Sequence, residues 1–150
     1  MGQSLVKNYI HIVFSTKYRQ PLIQPYFENE LHAYLGGICK SLDCPVLAVG
    51  GYTDHVHILT MLSKNIPLAE LLQKLKANSS KWIKSKHPSL DEFYWQNGYG
   101  AFSVNPKQVG IVIRYIQNQK AHHTKKDFKT EYYSLLKQHE VSFDERYVWD

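Results

Sequence analysis

The order of apolar patterns along the chain predicts an α+β sandwich: an antiparallel four-stranded sheet with helices on one face, followed by C-terminal helices. Three observations carry this. Four short segments place apolar residues at strand spacing, and two longer segments between them repeat apolar residues at helical spacing. These six segments succeed one another as strand, helix, strand, strand, helix, strand. The length of 150 residues suits one domain, 1–150, large enough to bury its own core.

Residues 8–15 alternate, with Ile10, Ile12 and Phe14 on one face and Tyr9, His11 and Val13 on the other, which predicts the first strand. A basic loop, Thr16-Lys17-Tyr18-Arg19-Gln20, ends at Pro21. From Pro25 to about Leu42, the residues Phe27, Leu31, Leu35 and Ile38 recur at helical spacing, and Pro25 suits a first turn, where a missing N–H costs little. Residues 46–52 form the second strand, and the turn Thr53-Asp54 leads into a third that carries His55 and His57. Pro67 opens a second helix that Pro88 stops, with Leu68, Leu71, Leu72, Leu75, Trp82 and Ile83 as its buried stripe.

Trp95-Gln96-Asn97-Gly98 enters a fourth strand over 99–104, with Trp95 expected in the core or as a strand anchor. Asn105-Pro106 is a helix start, an amide cap followed by proline at the first position. The third helix is expected to run to about Lys120 on Val109, Val112, Ile113 and Ile116, and a further helix spans about 126–139 on Phe128, Tyr132, Leu135 and Leu136. Phe143, Tyr147 and Trp149 in the tail are too apolar to be left entirely in water. The first six elements match a ferredoxin-like sandwich.

A hydrophobic share of 43% with 21% charged residues describes an ordinary soluble globular protein. No apolar run approaches a membrane span, and the N-terminus lacks a signal-peptide pattern. Two cysteines, Cys39 and Cys44, give no disulfide framework, so a reducing cytoplasm is the simpler expectation. The net charge is +5, and the basic residues cluster at Lys17 and Arg19, from Lys74 to Lys86, and from Arg114 to Lys129, among eleven tyrosines and three tryptophans. Such patches suit a flexible anionic strand of nucleic acid, though charge alone equally describes a solubilising surface. The candidate nucleic-acid contacts are Lys17, Arg19, Lys76, Lys81 and Lys84.

On a strand, His55 and His57 leave the same face while Val56 points the other way, so both imidazoles are able to bind one divalent ion. Tyr115 and Gln119 stand four apart at the edge of the apolar stripe of the third helix, one above the other. A glutamine oxygen is a workable ligand for Mg²⁺ or Mn²⁺, and two imidazoles with an amide leave most of the ion's charge uncompensated. Such an ion polarises a phosphate oxygen, and a tyrosine hydroxyl beside it offers an attacking atom. Each residue alone has a plain alternative: an exposed strand face for the histidines, packing for Tyr115, nothing for Gln119.

Asp54-His55-Val56-His57 resembles the HUH motif, two histidines flanking a bulky apolar residue, and Tyr115-Ile116-Gln117-Asn118-Gln119 resembles the Tyr-x-x-x-Gln segment of the single-tyrosine HUH transposases. These are the enzymes of small insertion sequences and their REP-associated relatives. Leu75-Lys76-Ala77-Asn78-Ser79-Ser80 and the stretch from Trp95 to Val104 are similar to that family too. The resemblance implies His55, His57 and Gln119 as ligands of Mg²⁺ or Mn²⁺ and Tyr115 as the nucleophile on a DNA phosphate. It further implies a 5′-phosphotyrosine link, single-stranded DNA with hairpins as substrate, and a homodimer with shared active sites. Because the link keeps the bond energy, rejoining needs no nucleotide cofactor. His122 and His123 receive no role.

Two alternatives stand beside it: a domesticated relative that binds and nicks hairpins without transposing, and a non-catalytic sandwich stacking bases on Tyr9 and Phe14. A histidine-triad hydrolase is set aside, because position 59 is Leu59.

Overall fold

The computed structural model describes residues 2–123 and 125–150. Four strands, β1 (Tyr9–Ser15), β2 (Val46–Tyr52), β3 (His55–Met61) and β4 (Gly100–Val104), form one antiparallel sheet in the order β2-β3-β1-β4. Helices α1 (Pro25–Ser41) and α2 (Leu68–Lys86) complete the expected strand and helix order. Every predicted boundary here holds to within one or two residues, because each element is bounded by its own turn chemistry or proline. The β1–β3 register sets Ser15 against His55, Val13 against His57 and His11 against Leu59.

The main core lies between one sheet face and the first two helices. Ile10, Ile12, Phe14, Val56 and Ile58 meet Leu31 and Leu35 of α1 and Leu71, Leu72 and Leu75 of α2. Each such side chain contributes about 1.5–3 kcal/mol of transfer free energy. Trp95 joins this core, as expected, and its Nε1–H donates to Ser79 Oγ at 2.9 Å. Phe14 is fully buried here, so it offers no surface for stacking a base.

The second sheet face is also covered, which extends the predicted arrangement. Helix α3 (Val109–Gln117) packs across β2 and β3, while α5 (Phe128–Gln138) packs Phe128, Tyr132, Leu135 and Leu136 against Val13 and Phe102. Asp127 caps α5, its side chain accepting from the Thr130 N–H at 2.9 Å.

The expectation for the third helix needs correction. The third helix does not run unbroken to Lys120: a 3₁₀ turn, Pro106–Gln108, precedes α3, and Asn118 separates α3 from the short α4 (Gln119–His123). Asparagine competes for the local backbone and ends helices readily. Of the expected core residues of that helix only Ile116 is fully buried, with Val109, Val112 and Ile113 half-buried. The tail agrees with expectation: Trp149 packs on Tyr132 and Phe128, Phe143 stacks on Tyr133 and stays 43% exposed, and Tyr147 is 61% exposed.

Candidate active site

His55 and His57 stand on β3, an interior strand, and point to the face covered by α3, α4 and α5; both are fully buried. Each has its outer nitrogen held. His55 Nδ1 lies 2.8 Å from Asp54 Oδ1; the carboxylate accepts, which leaves Nε2 as the inward atom. His57 Nδ1 lies 2.8 Å from His11 Nε2, with the two rings stacked 5.0 Å apart. Phe128 stacks on His55 at 4.2 Å, which fixes that ring in place.

The opposing layer brings Tyr115 from α3, Gln119 from α4 and Glu131 from α5 to the same point. Gln119 Oε1 is 2.9 Å from His55 Nε2 and 3.0 Å from His123 Nε2. Gln119 is 1% exposed, and its Nε2–H donates to Glu131 Oε2 at 3.0 Å. Glu131 Oε1 lies 3.2 Å from His57 Nε2, 3.1 Å from His123 Nε2 and 3.4 Å from His55 Nε2. The Tyr115 hydroxyl donates to Glu131 Oε2. Its ring meets His57 and His11 edge-on, with centroids 5.6 and 6.1 Å away. A cleft of about 400 Å³, lined by His11, Asn105, Gln108, Tyr115, His122 and Glu131 among others, opens this cluster to the outside.

Electrostatically the site is built around a buried carboxylate. Burial by itself would raise the Glu131 carboxyl, but hydrogen bonds from His123, His55 and His57 hold it far below the usual range. Burial would lower His55, yet its hydrogen bonds to Asp54 and Glu131 win and raise it to about 9. His57, with burial dominant, is pushed down to about 4. Burial and the Glu131 charge together push the Tyr115 hydroxyl above its usual range, so in this arrangement the phenol keeps its proton.

The residues fit a divalent ion. His55, His57 and Glu131, all buried, each offer one ligand atom, and these atoms lie within 4.8 Å of one another. His122, His123 and Glu131 form a second such group; His122 Nε2 is a buried nitrogen 3.4 Å from Glu131 Oε2, with no hydrogen-bond partner among the described residues. Imidazole and carboxylate together suit first-row divalent metals.

All four residues singled out at the sequence level, His55, His57, Tyr115 and Gln119, are thus brought together, and within one chain. Among the described residues the candidate nucleic-acid contacts make no ion pair with this cluster. Lys81 is exposed; Lys84 Nζ sits 4.1 Å from the Tyr94 ring centroid, and the Arg19 guanidinium 4.5 Å from that of Trp149. Lys17 is half-buried beside Tyr18. Lys76 has a local structural use: its ammonium donates to the carbonyls of Gln96 at 2.8 Å, Asn97 at 3.0 Å and Gly98 at 2.5 Å. Sequence reasoning missed Glu131, Asp54, His11, His122 and His123. One signal for Glu131 was available, since it stands on the apolar stripe of α5, three residues after Phe128 and four before Leu135.

The four-stranded antiparallel sheet thus sets a buried His-x-His pair against a helical tyrosine. Residues 4–119 match the family described as Transposase IS200 like, and the chain belongs to that family. Among curated proteins none matches the chain. A candidate transposase from Deinococcus radiodurans R1 shares the fold, with a TM-score of 0.65 and 22% identity over 79% of this chain and 96% of that one. So does a REP-associated tyrosine transposase bound to a REP hairpin, with a TM-score of 0.60 and 13% identity over 82% of this chain and 73% of that one. Among the described residues no helix is long and apolar enough to cross a membrane.

Proposed function

We propose that the protein cleaves and rejoins single-stranded DNA beside hairpins at element ends, through a 5′-phosphotyrosine intermediate and with a divalent ion, Mg²⁺ or Mn²⁺. The observation that carries this is the convergence of Tyr115 and Gln119 on His55 and His57 inside one chain. His55, His57 and Gln119 would hold the ion, which supplies polarisation of a phosphate oxygen when bound. Tyr115 Oη attacks the phosphorus, the bond to the 3′-oxygen breaks, and the 5′-phosphate stays on the tyrosine. The leaving oxygen gains a proton from water and becomes a free 3′-OH. The hydrogen bond from the Tyr115 hydroxyl to Glu131 Oε2 orients Oη, and the phenol proton leaves to solvent water as the bond to phosphorus forms.

Binding rests on charge: Lys17, Arg19, Lys81 and Lys84 are the proposed contacts to the strand, while Lys76 shapes the turn at 96–98. The relative bound to a REP hairpin supports the same substrate class here. A twofold dimer supplies the two cleavages that excision needs. Sharing of sites between its subunits is not required to complete either one, because each chain gathers its own set.

The test is an end-labelled single-stranded hairpin incubated with protein and Mn²⁺. A covalent adduct is expected from the wild type, and none from Tyr115→Phe, which keeps the ring and the binding. An adduct that persists in Tyr115→Phe assigns the chemistry elsewhere.

A further inference from the structure

Glu131 is a buried carboxylate set among imidazoles. It is 2% exposed, and every ion pair it makes among the described residues is to a histidine: His55, His57, His122 and His123. No lysine or arginine reaches it among those residues. Burying a carboxylate is costly; here hydrogen bonds from imidazoles offset it, and a divalent ion bound at the His55 and His57 nitrogens would take the place of any proton they carry. The grouping suits a divalent cation: His55, His57 and Glu131 each offer one ligand atom, all within 4.8 Å of one another.

The donor distances describe where it sits. His57 Nε2 and His55 Nε2 are 3.2 and 3.4 Å from Glu131 Oε1, and Gln119 Oε1 is 2.9 Å from His55 Nε2. Ligands about 2.1 Å from one ion stand about 3.0 Å apart at right angles and about 3.4 Å apart at tetrahedral angles. The second carboxylate oxygen is engaged differently. Oε2 receives the Tyr115 hydroxyl and the Gln119 amide N–H.

We propose that Glu131, on α5, is a ligand of the divalent ion through Oε1 and the positioning residue of Tyr115 through Oε2. One carboxylate then ties the ion, the nucleophile and the C-terminal helix into a single unit. Its negative charge also supplies what two imidazoles and an amide lack, and the resulting set of two nitrogens and a carboxylate favours Mn²⁺ over Mg²⁺. This inference rests on His55 and His57 being metal ligands.

The experiment is Mn²⁺ binding to the full chain without DNA, followed by calorimetry and by loss of the free-ion electron paramagnetic resonance signal. Wild type, Glu131→Gln and His57→Ala are compared. Glu131→Gln, nearly isosteric, is expected to weaken Mn²⁺ binding by about tenfold or more. If His57→Ala loses binding while Glu131→Gln stays within about twofold of wild type, the inference falls and the histidine site stands. If neither variant changes binding, both fall. Amide hydrogen exchange on the wild type guards against a variant that misfolds: Mn²⁺ should slow exchange across α5, Phe128–Gln138. Unchanged exchange in α5, with binding proven, overturns the assignment.

Discussion

Gly50→Ala should disable the chemistry from the far side of a helix. Gly50 lies on β2 where α3 crosses it, and a Cβ built there would stand 2.5 Å from the Ile116 carbonyl oxygen and 2.9 Å from Ile116 Cγ2. The nearer atom is backbone, so no rotamer change relieves the clash. Ordinary contact needs roughly 3.4 Å, so α3 must retreat by about 1 Å or the strand must bend, and overpacking of this kind costs about 1–3 kcal/mol. Tyr115 precedes Ile116 on that helix and Gln119 follows it, so the same shift moves both away from His55 and His57. A misplacement of about 1 Å is enough to cost on the order of 100-fold in rate. The assay is single-turnover formation of the covalent hairpin adduct, with thermal melting in parallel. Gly36→Ala serves as the control, because a Cβ there meets nothing within 4 Å. Helix propensity favours that change by up to about 1 kcal/mol. A folded Gly50→Ala protein that forms adduct at the wild-type rate would refute the claim that close α3–β2 contact sets the site geometry.

Three further outcomes are expected. Removing divalent ions with a chelator should stop adduct formation yet change hairpin affinity by less than about threefold, since the ion serves the chemistry more than docking; equal loss of both would contradict this. Burial pushes the Lys76 amine down from 10.5 to about 8. The unfolded chain therefore binds more protons between those values, and urea unfolding should show the wild type gaining stability over Lys76→Met as pH rises from 8 to 10.5, by on the order of 1 kcal/mol once partial exposure is discounted. A flat or falling difference would mean that the three carbonyl acceptors hold the proton instead. Mixing His57→Ala with Tyr115→Phe under proven subunit exchange should restore no adduct, because each chain assembles its own site; recovery would establish that the dimer shares its sites.

The strands and the first two helices were legible in the sequence because their signals are local. Alternation in β1, the 3.6-residue stripe in α1 and prolines at the element ends each act within a few residues. His55 and His57 were legible for the same reason: a period of two places both on one face whatever the partner strands do. The break at Asn118 was not, since a continuous stripe over Val112, Ile113 and Ile116 looks the same whether or not the helix continues. Tertiary structure decided what faces the histidines. Glu131 is 74 residues from His57, and nothing in its local spacing says that α5 returns across the second sheet face to bring a carboxylate against β3. Sequence determined which side chains share a face; only the packing of α3, α4 and α5 on that face decided that a tyrosine, an amide and an acid meet the imidazoles there. The physical reason is that periodicity acts along one element, whereas a buried charge is tolerated only where several elements together surround it.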